Sequence, residues 1–243
     1  MNYEDVYTKV KPLLKSFDHK SENFFSKLFQ HPSSFSIYDS LDNELYVRDS
    51  KEEELFKTIL VSSCVENEGR TTTALTLAVF FAACELGKKI LLVDADFENG
   101  GLSQIFNLPE SSAGLEQYFK GKAGLKEIVH QTKLENLHFT PVSSQSERFS
   151  RLDQERFEAF IEGMSEDYDM VIVDSSPGNR NRSVMSMAKI IRYTLFIIKY
   201  NGPTRHQISN FLKDLERVNA HIIGTVLSQR RLEIPWLFYG TGS

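Results

Sequence analysis

From position 58 onward, six short runs of apolar residues recur along the chain, and none of them alternates with polar residues. They are TILVSS (58–63), KILLVDAD (89–96), LHFTPVSS (137–144), DMVIVDSS (169–176), YTLFIIKYN (193–201) and HIIGTVLSQ (221–229). A strand with one face in water shows a period of two, whereas a strand covered on both faces reads as a continuous apolar run. Between several of these runs lie stretches with helical spacing, including TTTALTLAVFFAACEL, LDQERFEAFIEGM and PTRHQISNFLKDLERV. Buried strands alternating with helices predict an α/β fold with a mostly parallel central sheet flanked by helices. With 243 residues, 41% of them hydrophobic and 25% charged, the chain suits one large domain with appendages.

The appendages lie at the two ends. Residues 1–57 read as an N-terminal helical arm and linker, with Val6, Val10, Leu13, Leu14 and Phe17 in one apolar stripe and Phe24, Phe25, Leu28 and Phe29 in a second. Residues 58–231 form the α/β domain, and 232–243 form an apolar tail centred on Trp236, Leu237, Phe238 and Tyr239. That tail needs a cover: the domain itself, a partner subunit or a membrane interface. A net charge of -5 gives no reason to expect nucleic acid as a partner. Only two cysteines, Cys64 and Cys84, point to a reducing compartment, and the absence of a long apolar run points away from a membrane span. The six histidines are scattered without metal-ligand spacing, so no structural zinc is expected.

The segment SSCVENEGRTTTA (62–74) follows the first apolar run and opens the first helical stretch. In a parallel sheet this is where backbone N–H groups and a helix N-terminus point outward and bind anions. The spacing is that of a phosphate-binding loop, G-x-x-x-x-G-K-[ST], laid over Cys64, Val65, Glu66, Asn67, Glu68, Gly69, Arg70 and Thr71, with Thr72 following. Gly69, Thr71 and Thr72 fit, and Asn67 is a good substitute for glycine where φ must be positive. Arg70 keeps the lysine's charge on a larger planar fork, which is not an equivalent group. Glu66 and Glu68 add negative charge near a site meant for anions.

Two later runs end in carboxylates: Asp94 and Asp96 in VDAD, and Asp174 in VIVD. One such aspartate alone is most simply a turn or capping residue. Three of them, downstream of a phosphate loop and in this order, suit magnesium coordination and the activation of a hydroxyl or water. Thr71, Asp94 and Asp174 are the expected magnesium ligands, and Asp94, Asp96 and Asp174 the candidate catalytic groups.

With these motifs quoted, residues 57–231 resemble the bacterial tyrosine kinases of polysaccharide synthesis. These are the cytoplasmic P-loop domains of capsule and exopolysaccharide co-polymerases, relatives of the MinD/ParA cell-division and partition ATPases. The resemblance lays residues 64–72 on the family's Walker A loop, Asp94 and Asp96 on its second acidic motif, and Asp174 on its Walker B strand. It places Ser228 where an asparagine usually touches the base. It further implies ATP or ADP with magnesium as ligands, assembly into homo-oligomers and phosphorylation of tyrosines in a C-terminal tail. A membrane partner of the chain-length-determinant type, or a polysaccharide synthase or export protein, would bring a cytoplasmic chain to the inner membrane.

The departures from the family gather at the site. Arg70 replaces the lysine, Cys64 the small opening residue, Asn67 a glycine, Glu98 a basic residue, and Ser228 the asparagine. Ser175-Ser176-Pro177-Gly178 stands for a proline-rich stretch and runs into Arg180 and Arg182. Only Glu44 and Arg48 echo the family's oligomerisation motif, and Tyr239 is the lone tyrosine of the tail. Phosphoryl transfer depends on positioning and charge, and losing a lysine contact in a dry site costs on the order of a hundredfold to a thousandfold in rate. The expectation is a pseudokinase whose nucleotide and magnesium binding is weak or lost. A working autokinase or ATPase is the alternative. A MinD/ParA-type positioning ATPase fits less well, because Val65 stands where those proteins carry an extra lysine.

Overall fold

The computed structural model describes residues 57–84, 87–106, 108–109, 111–142, 152–179 and 182–228. The expectations placed on the N-terminal arm, on Glu44 and Arg48, on Arg180 and on the tail from Trp236 to Tyr239 lie outside the described residues. In chain order the elements are β1 (Thr58–Ser63), α1 (Arg70–Cys84), β2 (Ile90–Ala95), α2 (Gly101–Phe106), α3 (Leu115–Phe119), β3 (His130–Gln131) and β4 (Leu137–Thr140). Then follow α4 (Gln154–Asp167), β5 (Met170–Ser175), α5 (Ser183–Ile191), β6 (Tyr193–Lys199), α6 (Arg205–Arg217) and β7 (His221–Ser228).

The seven strands form one sheet in the order β3-β4-β2-β5-β1-β6-β7. Every pairing is parallel except that of the two-residue β3 with β4. The central strands are apolar without alternation because each feeds two cores. On one face Ile59, Val61, Leu92, Ile172 and Ile197 pack with α1, including Leu75, Val79 and Phe81. On the other, Leu60, Leu91, Val93, Val173 and Phe196 pack under α4, α5 and α6 through Phe157, Phe160, Met187, Phe211 and Leu215. All six residues of β1 are buried, as are all six of β2. Burying side chains of this size stabilises by roughly 1.5–3 kcal/mol each, before the entropy of ordering the chain is set against it.

Local signals fix the helix starts on the far face. The Asp153 carboxylate accepts the Arg156 N–H at 3.1 Å ahead of α4. Thr204 and Gln207 close a capping box ahead of α6. Short α2 and α3, antiparallel β3, and α5 are elements that the apolar runs and the quoted helical stretches do not mark. The fold's functional consequence is at the carboxyl ends of β1, β2 and β5. Val61 pairs with Asp174, and Asp94 pairs with Asp174, so the loop after β1 and the acidic strand ends are immediate neighbours.

Candidate functional site

β1 runs out at Ser63, and the chain turns back into α1 within six residues. Two of those residues take left-handed backbone, Asn67 at φ 57° and Gly69 at φ 94°, so the asparagine does serve where glycine is the usual choice. A Cβ on Gly69 would stand 3.5 Å from Ser228, and the positive φ would strain any other residue there. The first helical hydrogen bond of α1 is Thr73 N–H to Gly69 O, at 2.9 Å. The N–H groups of Arg70, Thr71 and Thr72 therefore have no acceptor within the helix, and they carry the positive end of its dipole. Cys64 is buried in the second core, and burial, reinforced by the Glu68 charge, pushes its thiol up to about 12. It is an apolar filler, not a nucleophile. Val65 packs on the same core, while Glu66 and Thr72 are half-buried.

Arg70 does not reach outward. It is buried, with Nη1 donating to Ser63 Oγ at 3.3 Å and Nη2 lying 3.7 Å from Asp96 Oδ2. Its Nε is buried without an acceptor. Asp96 in turn is fully engaged. Oδ1 accepts from Ser176 Oγ at 2.8 Å and from the N–H groups of Glu98 and Asn99, and Oδ2 accepts from Asn99 Nδ2. That carboxylate caps a turn and clamps the arginine. The Glu98 side chain, the charge reversal, faces solvent.

The remaining two acids differ from each other. Asp94 accepts the Asp96 N–H on Oδ1, and both the N–H and the hydroxyl of Ser103 on Oδ2, at 2.8 Å each. Burial raises its carboxyl to about 6 in spite of those donors. Asp174 is completely buried, and neither of its oxygens has a hydrogen-bond partner. Burial first, then the neighbouring Asp94 charge, hold it well above the ordinary 3.8. The Thr71 hydroxyl is near enough to favour the charged form without closing a bond of normal geometry. Thr71 also packs closely on α2, since a Cβ on Gly101 would lie 3.3 Å from Thr71 Oγ1.

These leftovers have a chemical sense. A buried donor, Arg70 Nε, together with the first N–H groups of α1, calls for an anion. A buried pair of acceptors beside a threonine hydroxyl calls for a cation and its waters. The residues present fit a metal-bound phosphate, with Thr71 and Asp174 as the groups that would hold magnesium and the loop amides as those that would hold the phosphate. Asp94, expected as a third metal ligand, has its oxygens taken by Ser103 and the Asp96 amide.

Of the expected site residues, 64–72, Asp94, Asp96 and Asp174 lie together. Ser228 meets them from the end of β7, where its hydroxyl donates to the Glu68 carbonyl. It thus touches the loop backbone. Arg182 is exposed at the start of α5. The sequence reading missed Ser63, Ser103 and Ser176, which orient Arg70, Asp94 and Asp96. No pattern announces them, because Ser103 and Ser176 act on carboxylates 9 and 80 positions away.

Comparison with known proteins gives a consistent set of relatives. A family described as AAA domain matches residues 56–225. The tyrosine-protein kinase CpsD of Streptococcus pneumoniae is 34% identical over 189 residues, covering 76% of this chain and 82% of that protein. An ATP-binding protein of Methanocaldococcus jannaschii is 26% identical over 175 residues, and the match takes in 72% of this chain but only 65% of that relative's length. Among solved structures, the chimerical protein CapA2B2 superposes with a TM-score of 0.71 at 22% identity, covering 81% of this chain and 84% of that one. The last similarity is one of fold.

Proposed function

The chain belongs to the AAA domain family of P-loop proteins, in the branch that holds the bacterial tyrosine-protein kinases, and from that premise we propose that it is a transfer-impaired, nucleotide-binding adaptor of capsule or exopolysaccharide synthesis and export. Its partner in this reading is a membrane protein of the chain-length-determinant type, or a polysaccharide synthase or export protein. The chain meets that partner as a peripheral subunit at the inner membrane and in a homo-oligomer. Among the described residues no helix is long and apolar enough to cross a membrane.

The observation that carries the reading is where Arg70 goes. The only cation between residues 62 and 74 is spent on Ser63 and Asp96, inside the site. In phosphoryl transfer that charge is needed on the terminal phosphoryl group, where negative charge spreads as the group moves. To reach it, Arg70 would have to leave a buried ion pair and strip Asp96 of its countercharge, a cost the transition state would bear. The cradle itself remains: the curled loop, the helix N-terminus and the open Asp174 support binding without efficient transfer. Bound magnesium would supply charge neutralisation between the phosphates. The chain's own part is to hold the phosphates on the amides of residues 70–72 and the metal on Thr71 and Asp174.

One observation favours a second reading. Asp174 is kept open beside the Thr71 hydroxyl, as a working tyrosine autokinase or ATPase would need, with Arg70 as its loop cation. Incubating the full chain with Mg-ATP and measuring phosphotyrosine separates the two. The adaptor reading expects no signal above that of Asp174→Asn. A signal that Asp174→Asn abolishes overturns it.

A further inference from the structure

We propose that Glu68 is the positioning residue of the phosphate loop, tying its curl to the neighbouring strand β6. From composition alone this acid looks like a liability beside an anion site. The structure places it elsewhere. Glu68 is 1% exposed, and its two carboxylate oxygens each take one backbone donor: Oε2 accepts the Val65 N–H at 2.8 Å, and Oε1 the Lys199 N–H at 3.0 Å. The first contact closes the loop on itself across three residues. The second ties it to the last residue of β6, 131 positions away.

The tie is part of a ring. The Tyr200 N–H donates to Ser228 O at 2.9 Å, Lys199 and Ser228 are paired across β6 and β7, and the Ser228 hydroxyl donates back to the Glu68 carbonyl. Glu68 is therefore held at both its side chain and its backbone, between the two left-handed residues Asn67 and Gly69. A loop that turns twice through left-handed backbone would lose that shape to conformational entropy unless something fixed it. A carboxylate suits the task because it is acceptor-only on both oxygens. A glutamine would present an NH₂ to one of the two N–H donors. The loop amides are then aimed before a ligand arrives, which removes an ordering cost from binding. By reciprocity, an anion seated on the loop steadies the ring as far as Lys199.

This deepens the nucleotide-binding reading and rests on it only for the ligand arm of the test. Amide hydrogen exchange is measured on the full chain, as wild type, Glu68→Gln and Glu68→Ala, with and without Mg-ADP, alongside calorimetric titration with Mg-ADP. In Glu68→Gln the Val65 and Lys199 amides are expected to exchange about tenfold faster or more, while amides of β2 keep their protection. Affinity for ADP falls about tenfold. ADP slows the Lys199 amide in the wild type and leaves it unchanged in the variant. Unaltered exchange at Val65 and Lys199 in Glu68→Gln overturns the proposal. So does a rise spread evenly through β2, which marks a loss of global stability in place of a local anchor. If Glu68→Ala does not fold, the glutamine variant alone decides. If the wild type takes up no ADP at millimolar concentration, the nucleotide reading falls, and the exchange rates still decide the role of Glu68.

Discussion

Two sides of one loop are built on opposite terms. Toward β6 and β7 the polar groups are closed on the scaffold: both oxygens of Glu68 have donors, its carbonyl has the Ser228 hydroxyl, and Gly69 fits against Ser228. Toward β5 they are left open: both oxygens of Asp174 and Nε of Arg70 are buried without a partner. A buried polar group left unpaired costs about 1–3 kcal/mol, so the folded chain does not carry such groups for stability. The closed side sets the shape of the loop. The open side shows what that shape awaits.

A large effect expected from this contrast is a gain in stability where function is lost. Asp174→Asn replaces a buried carboxyl, whose ionised form burial and the Asp94 charge oppose, with a neutral amide. It is expected to raise unfolding free energy at neutral pH by on the order of 2 kcal/mol, read from urea midpoints. A loss of stability instead would mean that Asp174 is satisfied in solution, and the contrast between the two sides would fail.

The pH dependence has the same sign. Asp94 is raised from an ordinary 3.8 to about 6, and an acid whose folded value is raised weakens the fold once it ionises. Its contribution is full at low pH and is lost as pH rises from the ordinary value through about 6, leaving the fold roughly 3 kcal/mol poorer at neutral pH. Asp174, also held well above its ordinary value, adds to that trend. The carboxyl carbon resonance of Asp94 should titrate with a midpoint near 6; a midpoint at the ordinary 3.8 would show that burial does not govern it.

Smaller changes sharpen the closed side. Ser228→Ala takes one hydroxyl from the ring and should lower the local opening free energy of the Val65 and Lys199 amides by about 1 kcal/mol, read by hydrogen exchange. An effect on nucleotide affinity larger than that of Glu68→Gln would give Ser228 a direct ligand contact. Smallest of all, Cys64 should resist alkylation at pH 8 in the folded chain, because burial keeps its thiol near 12. Rapid labelling would mean that the loop opens far more than its hydrogen bonds allow.

The sheet could be read from the sequence because its strands are buried on both faces, and a continuous apolar run such as ILLVDA survives without any knowledge of its neighbours. Helices α2 and α3 could not, because six and five residues hold no periodicity and owe their place to contacts of Leu102, Leu115 and Phe119. The same divide runs through the site. The loop spacing and the strand-end aspartates are local patterns, and the fold brings them side by side at the ends of β1, β2 and β5. What orients them is not local: Ser176 serves Asp96, Ser103 serves Asp94, and Glu68 is satisfied by a backbone N–H of β6. Charge alone set Glu68 against an anion, and only three-dimensional pairing shows it facing amides.

Calorimetric titration of the full chain with ATP in the presence of magnesium tests most directly whether the cradle persists while its cation stays on Asp96. The account predicts a saturable heat of binding that ends when the site is filled, with no sustained heat of turnover. Continuous heat that Asp174→Asn removes, or no heat at millimolar ATP, would contradict it.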